Sequence, residues 1–259
     1  MLDIFLQASA LAAFLFLLKG FEDYGSSGIW FTLSGLAIGF GLSVKWSLVF
    51  LLAALALSFL ILMKGKNTSL AEILLKLFIF LIALPASTYF ISYSYYFIGG
   101  SRFTEWLTLQ GWIFNFHTTL KESHPYALHP LLWWTGEHFY YLDQASGAQI
   151  WAKSNPYTWI SGALAGGYMV FEGVCRKKPY HATVFLAFSL QYFPWLLSPR
   201  VAFIYYMIPI IPFLHLSLSY YVNKISGYGG IWRILAAAYL FFSTVLIFIS
   251  FYPSLTGLT

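Results

Sequence analysis

From Trp46 to Met63 the chain reads WSLVFLLAALALSFLILM, without one charged residue. Seven further stretches come close to it, giving eight apolar segments in all: Leu2–Leu18, Ile29–Leu42, Trp46–Met63, Ala71–Phe97, Tyr157–Val174, Ala182–Leu197, Val201–Val222 and Ile231–Tyr252. A bilayer is crossed by a helix of about 20 apolar residues. Inside lipid every backbone N–H and C=O must be paired within the protein, which favours helices. Composition agrees, because 59% of the 259 residues are hydrophobic and 9% are charged, against about a quarter charged in a soluble domain. The aromatic share of 21% suits chain ends at a membrane interface, where Trp and Tyr rings sit half wet. The expected fold is an all-α integral membrane protein with about eight transmembrane helices.

The second segment is short and holds Gly35, Gly39 and Gly41. It pairs with the third as a tight or tilted hairpin around Ser43-Val44-Lys45, or the two form one long kinked helix. Three regions follow: membrane helices over 1–98, a loop with interfacial helices over 99–155, and a four-helix membrane unit over 156–259.

Lys and Arg accumulate on the cytoplasmic side of membrane proteins. Alternating the segments places Lys19, Lys64, Lys66, Lys76, Arg176, Lys177, Lys178, Lys224 and Arg233 inside. Lys45, Arg102, Lys121, Lys153 and Arg200 fall outside, nine against five. The 99–155 loop is then external, as are the Ser198-Pro199-Arg200 turn and both termini. An external start implies an odd number of further spans upstream. The formal charge of +5 does not indicate nucleic acid, since the basic residues lie at segment ends. Cys175, the single cysteine, excludes an intrachain disulfide and a thiolate metal motif. The segment opening on Asp3 lacks the basic start of a signal peptide.

Polar groups concentrate on the external side. Asp3, Glu105, Glu122, Glu137 and Asp143 lie there, with four of the six histidines, His117, His124, His129 and His138. Phe103–Leu120 and Leu128–Leu142 are apolar and aromatic with helical spacing and read as interfacial helices. A turn at Ser123-His124-Pro125-Tyr126 separates them. Asn155-Pro156 opens the next span, with Pro where a missing N–H costs nothing. Glu137-His138 lacks the H-E-x-x-H spacing of a zinc site, and no metal site or cofactor is visible. The histidines and the Trp133, Trp134, Tyr140, Tyr141 set also fit a plain aromatic belt. Arg200 follows Pro199 at a span end, where it binds phosphate bidentately or anchors the helix by snorkelling. Pro209 and Pro212 interrupt or bend the seventh segment.

Tyr192–Leu214, YFPWLLSPRVAFIYYMIPIIPFL, resembles the C-terminal signature of the protein O-mannosyltransferases, Y-L-P-W-x-x-x-P-R-x-x-F-x-Y-H-x-L-P-x-x-P-F. Further likenesses follow in order. Met1-Leu2-Asp3 is similar to the leucine–aspartate opening of a mid-protein helix. Gly35–Ser47, GLAIGFGLSVKWS, is similar to G-L-x-x-G-x-x-x-S-V-K-W. His117 and His124-Pro125-Tyr126 resemble a loop pattern of prokaryotic members. Asn155-Pro156 with Trp159 resembles G-N-P-x-x-W, Ser154 standing for glycine, and Phe251-Tyr252-Pro253 the closing F-Y-P.

The resemblance covers essentially the whole chain. It implies a multi-span (GT-C type) glycosyltransferase of about eleven spans, moving mannose with inversion from a polyprenyl-phosphate donor to Ser or Thr of exported proteins. The family's aspartate–glutamate pair lies in a first external loop before the matched positions, so the catalytic base is expected upstream, with three spans, or on a separate N-terminal half. Glu22-Asp23 falls on the inner side and is not that pair. The short loop points to a prokaryotic cell membrane. Arg200, Lys121 and His117 are the expected donor-phosphate ligands, and Asp3, His124 and Asn155 are expected to organise the site. Where the family has His, this chain has Tyr206. Three rivals stand beside this reading. One is a transferase moving another sugar to a lipid or glycan acceptor. Another is a non-catalytic fragment or subunit. A transporter would need charged spans and inverted repeats, which the sequence does not show.

Overall fold

The computed structural model describes residues 2–64, 66–119, 124, 127–142 and 147–258. The helices are α1 (Asp3–Glu22), α2 (Ser27–Val44), α3 (Val49–Met63), α4 (Leu70–Ile91), the short α5 (Ser94–Ile98), α6 (Phe103–Thr119), α7 (Pro156–Cys175), α8 (Pro179–Leu197), α9 (Ile211–Ser226) and α10 (Gly230–Thr256). Among the described residues five stretches are long and apolar enough to cross a membrane: Asp3–Glu22, Ser27–Val44, Trp46–Met63, Leu70–Ile91 and Gly230–Thr256. The sequence count of about eight exceeds this. α7 and α8 reach 20 and 19 residues, but Gly, Ser, Thr and Tyr dilute their apolarity, and α9 has 16 residues. Side chains such as Leu15, Leu57, Phe78, Leu164 and Ile249 are exposed, a surface suited to lipid rather than water.

The second and third segments form a hairpin, not one kinked helix. Lys45 is extended at φ −159°, ψ 128°, and a 3₁₀ turn at Trp46–Leu48 leads into α3. The glycines of α2 explain its close seat on α4. A Cβ on Gly35 would stand 2.3 Å from the Phe80 carbonyl oxygen, and one on Gly39 would stand 2.6 Å from Thr88 Cβ. The facing stretch of α4 carries a π-turn at Ile79–Ala83, just before Pro85. Pro85 has no N–H to give the preceding turn, and a π-turn absorbs such a gap. The core joins the early and late helices. Phe14 of α1 meets Phe213 of α9 edge-on at 5.1 Å, and Phe21, Phe31 and Phe59 form a buried aromatic trio. The buried Ser34 hydroxyl donates to the Ala13 carbonyl at 2.8 Å, tying α2 to α1. Interhelical hydroxyl bonds of this kind hold helices where no water competes.

One expectation needs correction. Leu128–Leu142 is not an interfacial helix. A 3₁₀ turn at Pro130–Trp134 ends at Thr135-Gly136, and β1 (Glu137–Leu142) then pairs antiparallel with β2 (Gln149–Lys153). Among the described residues the fold is therefore helical with one small hairpin. Gly136 breaks the helical pattern, and the aromatic run after it suits a strand as well as a helix face. Of the two alternatives for Val201–Val222, a bend or an interruption, the segment is interrupted. Phe203 is extended, Ile204–Met207 is a 3₁₀ turn, and α9 begins only at Ile211 with Pro212 in its first turn. The prolines set where the helix starts instead of bending it. Phe103–Thr119 is helical, as expected for the first half of the loop, and Asn155-Pro156 opens α7 with Pro at the first position.

Candidate functional site

The fold gathers Asp3, the α2–α3 turn, the end of α6 and the α8–α9 turn at one end of the bundle. Lys45, in the extended residue of that first turn, reaches back to Asp3 at the start of α1. Its Nζ lies 3.1 Å from Asp3 Oδ1 and 4.3 Å from the centre of the Tyr206 ring. Burial pushes the Lys45 ammonium below its usual pKa, Asp3 counters this, and Arg200 adds to the fall. The Tyr206 ring packs on Trp195 with centroids 4.4 Å apart. Tyr206 thus supplies an aromatic face for a cation.

Arg200 is held by the turn between α8 and α9. Its backbone N–H donates to Ser198 Oγ at 3.3 Å, and its Nη1 lies 2.5 Å from Nδ1 of His117 in the last turn of α6. Burial, then Arg200 and Lys45, hold the His117 pKa below the ordinary histidine value. The ring is therefore neutral at pH 7 and accepts from the guanidinium. The Arg200 Nε is buried with no hydrogen-bond partner. A buried charged donor without a partner is costly, so this edge is suited to an incoming anion.

Two cavities share this cluster. A cavity of about 1040 Å³ has Asp3, Lys45, Trp46, Tyr89, His117 and Tyr205 in its wall. Within it, Trp46 Nε1 donates to the Tyr89 hydroxyl at 2.7 Å, and that hydroxyl donates to Gln110 Oε1 at 2.6 Å. A second cavity of about 360 Å³ is more apolar, with Phe50, Phe114, Pro194 and Trp195 beside Lys45 and Arg200. Lys45, Trp46 and His117 line both. A phosphate at the junction would have polar and aromatic groups on one side and an apolar slot on the other.

The residues expected from the sequence divide. Arg200, His117 and Asp3 come together through Lys45, which the sequence reading left unassigned; its signal was the S-V-K-W stretch in a turn. His124 is exposed, edge-on to Phe203 at 5.2 Å. Asn155 caps α7, accepting from the Thr158 N–H at 3.3 Å and donating to the Ser243 carbonyl at 2.6 Å. Its amide is thus engaged in joining α7 to α10. Lys121 lies outside the described residues. Among the described residues no three His, Cys, Asp or Glu side chains gather as a metal site.

No protein-family model, curated protein or solved structure matches this chain significantly.

Proposed function

We propose that the chain binds a polyprenyl-phosphate sugar and serves in transfer of mannose from that lipid to Ser or Thr hydroxyls of exported proteins, on the outer face of the cell membrane. The observation that carries this reading is the position of Arg200, His117 and Lys45 between an apolar slot and a large cavity walled by polar and aromatic groups. A lipid-phosphate sugar has the same order of parts: apolar chain, anion, sugar. The slot between α3 and α8 receives the chain, the cations receive the phosphate, and the Trp46–Tyr89 side receives the sugar. Departure of the lipid phosphate builds negative charge, and fixed cations stabilise it most as it develops. Arg200 does this with a planar pair of donors, while Lys45 acts as a point charge.

An inverting transfer also needs a base for the acceptor hydroxyl. Asp3 is the carboxylate in the described cavity wall, but its ion pair with Lys45 gives it an orienting role. The base is assigned to no residue of this chain, in keeping with the resemblance. About eight spans would then be reached by α7, α8 and α9 lying in the membrane beside the five more apolar stretches.

Donor binding tests the proposal without requiring turnover. The full chain in lipid nanodiscs should bind polyprenyl-phosphate mannose saturably, and unlabelled polyprenyl phosphate should displace it. Free mannose should not. Binding that depends on neither the phosphate nor the cations would overturn the reading.

A further inference from the structure

The opposite end of the bundle holds a second charged cluster that the donor site does not use. Glu172, fully buried near the end of α7, accepts from Arg176 Nη1 at 2.9 Å and from Lys224 Nζ at 2.6 Å. Tyr220 donates to its other oxygen, and His181 Nδ1 stands 3.4 Å away. This carboxylate is met by Arg176 and Lys224, with Lys177 and Lys178 next in sequence and exposed. Arg233 is exposed in the first turn of α10, at the same end. The patch is therefore strongly positive, and the Arg176 side chain is about half exposed, at 53%.

An apolar cavity of about 440 Å³ adjoins it, bounded by α7, α9 and α10. Leu164, Ala165, Leu218, Trp232 and Ala236 line it, and Tyr168 links it to the charges. The Tyr168 ring is in the cavity wall while its hydroxyl accepts from Lys224 at 2.6 Å. From Tyr168 to Ser161 the slot follows α7 for about 10 Å of helix rise. α10 leaves room for an occupant, because only 11% of its most apolar window is buried.

We propose that this site binds one anionic phospholipid, its phosphate on the Arg176–Lys178 edge and one acyl chain in the slot between α7 and α10. Charge complementarity selects the headgroup. Cations beside a membrane surface each attract anionic lipid by an increment that sums over the cluster. The slot selects a lipid over a soluble anion, since a free phosphate would leave it empty. Bound there, the lipid adds to the Tyr239 hydroxyl bonds with Ser161 and the Tyr157 carbonyl that already join α10 to α7. The inference does not rest on the donor site, which lies at the other end.

The test uses the full chain purified in neutral detergent and native mass spectrometry with phosphatidylglycerol or phosphatidylcholine of identical acyl chains. Phosphatidylglycerol should be retained roughly tenfold better, and the surface double variant R176Q/K178Q should lose that preference. Glu172 keeps Lys224 and Tyr220 in this variant, so the fold is retained. Ala236→Phe, which fills the slot, should reduce retention of phosphatidylglycerol with the charges intact. Soluble glycerol phosphate should not displace the lipid. Equal retention of the two lipids, full retention by both variants, or displacement by glycerol phosphate would each overturn the proposal.

Discussion

Replacing Arg200 separates its direct role from its effect on His117. The buried Nε and the neighbouring Nη form a planar edge able to make two charge-assisted hydrogen bonds, of about 1.5–3 kcal/mol each. Arg200→Ala should then weaken donor binding by about 3–6 kcal/mol, roughly 10² to 10⁴-fold. Arg200→Lys keeps the charge but loses one bond, so its loss should be roughly 10- to 100-fold. The second effect concerns pH. In the intact protein burial and the two cations hold the His117 pKa below the usual histidine value. Removing Arg200 removes one of those causes, and the pKa of His117 moves back up. The imidazolium of the Arg200→Ala variant therefore forms at higher pH than that of the wild type. Residual donor binding should strengthen on acidification from about pH 8 to about pH 5.5, with a midpoint above that of the wild type. The ligand should be a phosphodiester-linked sugar, whose charge is constant over this range. Calorimetric titration in nanodiscs reads both quantities, and R200A/H117A should lose the shifted rise. If Arg200→Ala binds within twofold of wild type at neutral pH, or its midpoint is unmoved, the phosphate assignment fails.

Three further outcomes follow from the same contacts. Asp3→Asn removes the group that raises the Lys45 pKa, so the ammonium loses its proton at lower pH. Donor binding, which needs that charge, should then fall away at lower pH than in wild type on an alkaline titration, and an unchanged alkaline limb would argue against the pair. Tyr206→Phe keeps a ring under Lys45 and should leave donor binding nearly unaltered, whereas Tyr206→Ala should weaken it by about 0.5–2 kcal/mol; equal binding by both variants would remove the cation–π contact from the account. Gly39→Ala places a methyl where Thr88 and Pro85 already stand and should cost about 1–3 kcal/mol of stability, read as a lowered Tm in detergent; a wild-type Tm would show that α2 and α4 do not meet as described.

The helices of highest apolarity were legible because nothing but lipid or core suits Trp46–Met63 or Leu70–Ile91. Arg200 was legible because Ser198-Pro199 ends a helix in front of it. Lys45 was harder to read, since its value comes from Asp3 and Tyr206, 42 and 161 residues away. A turn lysine reads the same in sequence whether it faces solvent or a half-buried carboxylate. The hairpin at Glu137–Lys153 was hidden for a different reason: Phe, Tyr and Trp serve a strand and an interfacial helix equally, and only pairing with β2 decides. Asn155 was read as part of a pocket, but an Asn before Pro is first a helix cap, and its amide is taken up in that way.

The seat of α4 on α2 has a mechanical consequence for the large cavity. Where Gly35 and Gly39 meet Phe80, Pro85 and Thr88, main chain touches main chain with hardly a side chain between. Such a joint has no rotamers to turn, so it cannot take up a displacement locally. One residue beyond Thr88, Tyr89 holds Trp46 in the cavity wall. A shift of α4 at the joint would therefore arrive undiminished at the Trp46 side of the cavity. The width of that chamber is thus gauged by two atoms absent from the glycines, farther down the helix than any group that would touch a ligand.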